Sequence, residues 1–139
     1  MNERLSHLSL RDIATGASAV GIVYGATSAL IWGPQVGTEV GIGLGSATAG
    51  ILLGIESSNR AVELAGGGKK VRAYLEALES TLKTAIGLAV AGATAGFGIA
   101  GPEGAIWGAA TGALIAVGGL GQCNARFLSE AFRQRDTII

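Results

Sequence analysis

The chain has 139 residues, of which 49% are hydrophobic and only 14% charged, and its ten basic residues balance its ten acidic ones. The length suits a single domain, and the neutral balance gives no electrostatic basis for binding nucleic acid. The single cysteine, Cys123, excludes an internal disulfide and is interpreted as a small apolar side chain near a helix end.

A polar N-terminal arm, residues 1–12, contains acidic and basic residues but no apolar stretch and no small-residue cleavage pattern. We therefore expect neither a cleaved secretory signal nor a transit peptide. His7 is the only histidine, and Glu3 is its one candidate partner for a metal ion. A solvated side chain is the expected role of His7.

Small residues recur at every fourth position through two long apolar stretches. The first series is Ala17, Gly21, Gly25, Ala29, Gly33, Gly37, Gly41, Gly45 and Ala49, and the second is Gly92, Gly96, Ala100, Gly104, Gly108, Gly112 and Ala116. Because a four-residue step returns to nearly the same helix face, each series predicts a groove without side-chain bulk. Such grooves let helices approach closely in a bilayer, where water cannot drive association.

The pattern therefore predicts an all-α integral membrane protein. In water, each glycine would cost an exposed helix about 0.8–1 kcal/mol relative to alanine, whereas in lipid the backbone must stay hydrogen-bonded. A soluble glycine-rich bundle inside a large assembly is the alternative. The predicted helix-packing residues are Gly21, Gly25, Gly37, Gly41, Gly45, Gly92, Gly96, Gly104, Gly108 and Gly112.

Four apolar segments are predicted to be transmembrane helices: Ile13–Trp32, Val40–Ile55, Thr84–Ala100 and Ala105–Gly121. Gly33-Pro34 and Gly101-Pro102 separate the members of each pair, and proline disfavours helix in the residue before it. We expect one transmembrane hairpin over residues 13–55 and a second over 84–121. A hydrophilic linker, 56–83, joins them, and an amphipathic tail, 122–139, follows.

The two hairpins resemble copies of each other. A shift of 67 residues places Gly25 on Gly92, Gly37 on Gly104, Gly41 on Gly108, Gly45 on Gly112 and Ala49 on Ala116. The prolines fall one residue out of register, so the turn requires an insertion or a deletion. An internal duplication is predicted, and because each copy has two spans, both copies would share one orientation.

Two short amphipathic helices are predicted outside the apolar segments. The first, Lys69–Lys83, follows the flexible Gly66–Gly68 break and has one apolar side, formed by Val71, Leu75, Leu78 and Leu82. The second lies in the tail, where Phe127, Leu128, Ala131 and Phe132 oppose charged residues. Both are expected on the membrane surface or against partner subunits.

Charge placement predicts the orientation of the spans. All ten basic residues lie in the N-terminal arm, in the central linker or in the tail, whereas the two hairpin turns contain only Glu39 and Glu103. With four spans the basic parts share one side. The positive-inside rule then places both termini on the cytoplasmic side or its equivalent.

Residues near the turns and in the spans have structural interpretations and one functional alternative. Glu39 and Glu103 are interpreted as acids that stabilise a helix N-terminus, and alternatively as an acidic ring at a pore mouth. Trp32 and Trp107 are predicted interfacial anchors. Eight hydroxyl residues are expected to hydrogen-bond within or between helices rather than line a conduit: Thr15, Ser18, Thr27, Ser28, Ser46, Thr48, Thr94 and Thr111.

No combination of residues predicts an enzyme, a cofactor or a metal site. The segments Gly41–Gly45 and Gly66–Gly68 are glycine-rich, but neither follows a predicted strand or has the other residues of a phosphate-binding loop. We interpret them as a helix-packing segment and a linker.

The sequence Gly45-Ser46-Ala47-Thr48-Ala49-Gly50-Ile51-Leu52-Leu53-Gly54-Ile55-Glu56 resembles the second span of the mitochondrial inner-membrane translocase superfamily, which is glycine-rich and ends in an acid. Gly87–Gly121 resembles its third and fourth spans. The superfamily includes plastid outer-envelope amino-acid channels and a four-helix accessory subunit of respiratory complex I. The resemblance implies a translocase-like or accessory subunit, and glycine-zipper membrane proteins in general fit these residues equally.

We therefore expect a non-catalytic membrane protein, without a cofactor, that packs in the lipid bilayer against transmembrane helices of a hetero-complex or a homo-oligomer. The resemblance implies the mitochondrial inner membrane. The alternative is a homo-oligomeric pore or a membrane-penetrating virion protein, in a bacterial inner membrane or a phage particle.

Overall fold

A computed structural model describes residues 8–136 of the chain. This range is helical and contains no strand, so the predicted all-α class is confirmed. The elements are α1 (Leu10–Trp32), α2 (Pro34–Gly66), α3 (Lys70–Ile115), a π-helical segment (Ala116–Leu120) and α4 (Gly121–Asp136).

The ends of α1 follow from local sequence. The Ser9 hydroxyl accepts a hydrogen bond from the Asp12 N–H at 3.1 Å, and the Asp12 carboxylate accepts one from the Ser9 N–H at 3.1 Å. This capping box satisfies N–H groups that have no partner inside the helix. At the other end Gly33 has a φ of 96°, and Pro34 is the first residue of α2. The first Gly-Pro pair therefore ends one helix and begins the next, as predicted.

The second Gly-Pro pair makes a sharp break inside α3. Ala100 and Gly101 have non-helical backbone angles, and Gly101 has a φ of 61°. The chain folds back here, so that a first arm of α3 (70–99) packs against a second arm (102–115). A Cβ added to Gly96 would collide with the Gly104 carbonyl.

The glycine pairs of the two hairpins do not match each other under the 67-residue shift found in the sequence. The packing partners differ by one helical turn. A Cβ on Gly25 would lie 2.9 Å from the Gly37 carbonyl oxygen, whereas Gly104 faces Gly96 rather than Gly92. In packing, Gly25 therefore corresponds to Gly96, four residues beyond the Gly92 that the 67-residue shift assigned to it. The duplication itself stays a prediction.

The second and third helices are longer than the predicted spans. With 33 residues, α2 is about 50 Å long, whereas the hydrocarbon core of a bilayer is about 30 Å thick. Residues 56–66 of the predicted linker continue α2, and the segment Lys69–Lys83 is not a separate surface helix, because α3 runs from Lys70 directly into its apolar part. Only a short turn around Gly67 and Gly68 remains of the linker.

α4 packs against the long helices at their polar end. Leu128 of α4 is buried together with Ala61 and Ala65 of α2 and Ala73 and Ala77 of α3. The tail is therefore part of a small three-helix core rather than an isolated surface helix. Of its predicted apolar side, Phe132 packs partly against this core and Phe127 is 62% exposed, while the side chain of Ala131 lies outside the described residues.

The helices form an open layer. Among the described elements α1 contacts α2 alone, and α2 in turn contacts α3. The solvent-accessible surface is 9127 Å², whereas a compact monomer of 13.8 kDa exposes about 6,600 Å². The chain by itself therefore exposes about 2,500 Å² more surface than a compact monomer of its mass.

Candidate helix-docking surface

All ten predicted packing glycines lie at contacts inside the chain. Gly21, Gly25, Gly37, Gly41 and Gly45 join α1 to α2, and Gly92, Gly96, Gly104, Gly108 and Gly112 join the two arms of α3. At each position an added Cβ would meet backbone of the opposite helix. These glycines therefore hold the hairpins together before any partner binds.

A groove remains open along one side of the contact between α1 and α2. It encloses about 790 Å³ and is lined by the packing glycines together with exposed short side chains such as Ser18, Ala26 and Thr38. Ile22 and Ile42 form part of its rim. The short side chains leave room for a helix to approach the backbone of both α1 and α2.

A second groove, of about 500 Å³, lies between the arms of α3. Its lining combines small residues with Trp107, Thr111 and Ile115. The hairpins thus resemble each other in having one open, small-residue groove each.

Many large apolar side chains are exposed, and two of them, Ile99 and Trp107, line the second groove. Leu30 is 90% exposed, Ile99 86% and Trp107 75%. Soluble monomers rarely expose contiguous apolar patches larger than a few hundred Å². Three helical stretches are long and apolar enough to cross a membrane, namely Leu10–Trp32, Pro34–Gly66 and Lys70–Glu130, the last of which contains the break at Gly101, and this is consistent with a transmembrane protein.

The two acidic turns lie at the same end of the layer. The Glu39 carboxylate lies against Gly98, where an added Cβ would be 2.5 Å from Oε2. Glu103 is exposed at the start of the second arm of α3. Because α2 begins at Pro34 rather than near Val40, Glu39 lies beyond the first helical turn, and its interpretation as a helix N-terminal acid was wrong.

Basic residues of the described range lie towards the opposite end. Arg60 pairs with Glu56 at 3.2 Å, and Lys83 pairs with Glu79 at 2.6 Å. The hydrogen bond and the charge of Lys83 lower the pKa of the Glu79 carboxyl. The separation of charge along the layer agrees with the sequence pattern, and the side of the membrane on which each end lies stays a prediction.

A polar junction that the sequence analysis missed fastens α4 to the layer. Asn124 accepts a hydrogen bond from the Ser58 hydroxyl at 2.8 Å, and its amide donates to Thr81 Oγ1 at 3.3 Å and Ser80 Oγ at 3.4 Å. The π-helical segment directly precedes α4, and such segments shift the register of a helix. No hydropathy pattern could have indicated Asn124, because its partners are more than 40 residues away.

Glu56 begins the polar end of α2 and is 6% exposed. Its carboxylate accepts a hydrogen bond from the Leu8 N–H at 2.9 Å and pairs with Arg60. Burial of a carboxylate is tolerated when it is paired and hydrogen-bonded, and this arrangement also fixes the start of α1 beside α2.

The remaining candidate residues have local roles. Five of the eight hydroxyls donate to carbonyls of their own helix: Thr15, Thr27, Thr48, Thr94 and Thr111. Cys123 is exposed, so its interpretation as an apolar filler was wrong. The described residues contain no cluster of three or more potential metal ligands, and His7 and Glu3 lie outside the described range.

No protein-family model matches the chain, and neither the curated proteins nor the solved structures contain a significant match to it.

Proposed function

We propose that this chain is a non-catalytic subunit of a membrane complex, with four helical stretches that span the bilayer as two hairpins and open grooves that bind helices of neighbouring subunits. The observation that carries the proposal is the open layer, in which small-residue grooves adjoin exposed apolar side chains. Its surface exceeds that of a compact monomer by about 2,500 Å², and a standard interface takes about 800 Å² from each partner.

The charge separation supports an orientation with the basic end on the cytoplasmic side or its equivalent. In this arrangement the small core around Leu128 lies outside the bilayer and the Gly-Pro turns lie at the other surface. The resemblance to the translocase superfamily favours a translocase-like or accessory subunit of the mitochondrial inner membrane. A bacterial inner membrane or a phage particle is the second candidate setting.

The test must use groove residues that the hairpins do not need. Leucine at Gly41 would separate α1 from α2 and would not report on a partner, because an added Cβ already lies 2.9 Å from the Gly21 carbonyl oxygen. Ser18→Leu instead fills the exposed groove. Thr27→Leu is the matched control, since Thr27 is also an exposed hydroxyl residue of α1 but does not line the groove.

Native mass spectrometry of the full chain, extracted with partners in a mild detergent, gives the readout. We expect assemblies larger than one chain for the unmodified protein and for Thr27→Leu, and their loss for Ser18→Leu. A protein that is monomeric throughout, or a Ser18→Leu variant that assembles normally, would contradict the proposal. Mixed subunits support the accessory role, whereas a ring of identical chains supports a pore.

The position of both acidic residues at one end favours a homo-oligomeric pore as the second candidate function. Glu103 is exposed there and would line a shared entrance that attracts cations. The purified protein in planar bilayers should then conduct, with a cation preference that Glu103→Gln reduces. Absence of conductance at every protein concentration would rule out the pore.

A further inference from the structure

An apolar cavity of about 460 Å³ lies between α2 and the first arm of α3, at the acidic end of the layer. Val36, Val40, Leu44 and Ile99 provide large apolar walls. Along α3 it extends over residues 91–99, which is about 12 Å of helix and close to half of the roughly 30 Å hydrocarbon thickness. Its volume lies in the range of about 300–1,000 Å³ that is typical of ligand pockets.

Glu39 is the one charged residue among those that line this cavity. Gly98 provides the space for its carboxylate beside the α3 backbone, since a Cβ there would lie 2.5 Å from Oε2 and the carboxylate would have to move. The described hydrogen bond to the carboxylate is from the Gln35 amide, at the long distance of 3.5 Å. The Thr94 hydroxyl donates to carbonyls of its own helix, so it does not satisfy Glu39.

No basic residue in the described part of the chain is near this carboxylate along α3. Lys83 precedes Gly98 by 15 residues, or about 22 Å of helix, whereas the Debye length at physiological salt is about 8 Å. The Glu39 side chain is partly exposed, and in a bilayer a carboxylate at such a position is costly unless it is paired and hydrogen-bonded. The favourable partner is therefore a cation attached to something apolar.

We propose that the cavity binds a membrane lipid with a primary ammonium headgroup, of the phosphatidylethanolamine class. An acyl chain lies against Val36, Val40 and Leu44, and the ammonium group donates hydrogen bonds to the Glu39 carboxylate. A primary ammonium has three N–H donors, whereas the quaternary ammonium of a choline lipid has none, so the site distinguishes the two headgroups. This inference rests on the membrane insertion proposed above.

The experiment uses the full chain in mild detergent, with ethanolamine and choline lipids of identical acyl chains added at equal mole fraction. Native mass spectrometry measures the lipid that each variant retains. We expect the unmodified protein to retain about tenfold more ethanolamine lipid, which corresponds to about 1.4 kcal/mol. Glu39→Gln keeps the size of the side chain but should retain both lipids equally. Glu103→Gln, which removes an acid outside the cavity, should keep the original ratio.

Two further arms test the apolar part of the site and the membrane insertion. Ala95→Leu fills the cavity and should lower retention of the ethanolamine lipid, and free ethanolamine should not displace it, because it lacks an acyl chain. Resistance of the membrane-bound protein to alkaline extraction is measured in parallel. If alkaline extraction releases the protein from the membrane, the proposed function is overturned. Resistance with a lipid ratio near one, or with a ratio that Glu39→Gln leaves unchanged, overturns the lipid site alone.

Discussion

The crossing of α2 and α3 at Gly50 and Gly87 makes Gly50→Ala a sharp test of the packing between the hairpins. A Cβ at Gly50 would lie 2.7 Å from the Gly87 Cα, 3.1 Å from its nitrogen and 3.0 Å from the Lys83 carbonyl oxygen. All three neighbours are backbone atoms, so no rotamer change can relieve the collision. Since carbon atoms pack best at about 3.5–4.0 Å, the helices must separate by about 0.8–1.3 Å here.

The expected cost of Gly50→Ala combines three effects. Overpacking of this kind costs about 1–3 kcal/mol. The separation also stretches the hydrogen bond from Ser80 Oγ to the Gly54 carbonyl, now 2.7 Å, and such bonds contribute about 1 kcal/mol. Alanine recovers up to about 1 kcal/mol through its helix propensity. We therefore expect a net loss of about 1–3 kcal/mol in the free energy of unfolding.

Pulse proteolysis across a titration of SDS into dodecylmaltoside micelles measures this loss as a shift of the unfolding midpoint. Gly118→Ala is the control, because its added Cβ has no neighbour within 4 Å, and it should leave the midpoint unchanged or raise it. The double variant with Gly87→Ala should cost less than the sum of the single changes, since both act on one contact. A Gly50→Ala protein as stable as Gly118→Ala would refute the reasoning.

Three other substitutions test the turns, the polar junction and the first helix cap. Gly101→Ala places a Cβ at a φ of 61° and should destabilise the protein by about 1–3 kcal/mol in the same titration, whereas Gly66→Ala, in open space, should not. Asn124→Ala removes the hydrogen bonds that hold α4 against α2 and α3, so amide hydrogen exchange in residues 121–136 should accelerate at least tenfold. Unchanged exchange would show that the burial of Leu128 is enough to hold α4 in place. The hydrogen bonds from the Ser9 hydroxyl and N–H hold the pKa of Asp12, which precedes the first predicted span, below its usual range. The capping box therefore stabilises the start of α1 above about pH 4, and this stabilisation is lost as the pH falls below that value. Protection of the first-turn amides of α1 from hydrogen exchange should fall in acid. In Asp12→Asn, which has no carboxylate to protonate, it should not show this pH dependence.

The sequence could predict the Gly-Pro turns because they depend on local geometry. Gly33-Pro34 and Gly101-Pro102 both interrupt helices here, and small residues at a four-residue spacing share one helix face. The predicted ends of the helices were less accurate. The polar residues after Ile55 have the composition of a linker, but α2 continues through them to Gly66. Glu56 and Arg60 form an i,i+4 ion pair, which stabilises this part of the helix.

The candidate sites depended on contacts that no local pattern contains. The role of Glu39 was predicted from its position near the first turn. In the structure its carboxylate lies against Gly98, a residue 59 positions later in the chain. Asn124 lies in a segment that was interpreted through its apolar residues, and its role comes from α2 and α3. Polar contacts of this kind require the backbone of two distant segments to be placed first.

By itself, the sequence determined that the chain is helical, where it turns and which faces of its helices are small, because periodicity and Gly-Pro breaks act over a few residues. The tertiary structure alone decided that the glycines bind each other within the hairpins and that the free grooves lie beside them. It also decided that the helices form an open layer. A small-residue face can accept any helix, and which helix it meets depends on the path of the whole chain.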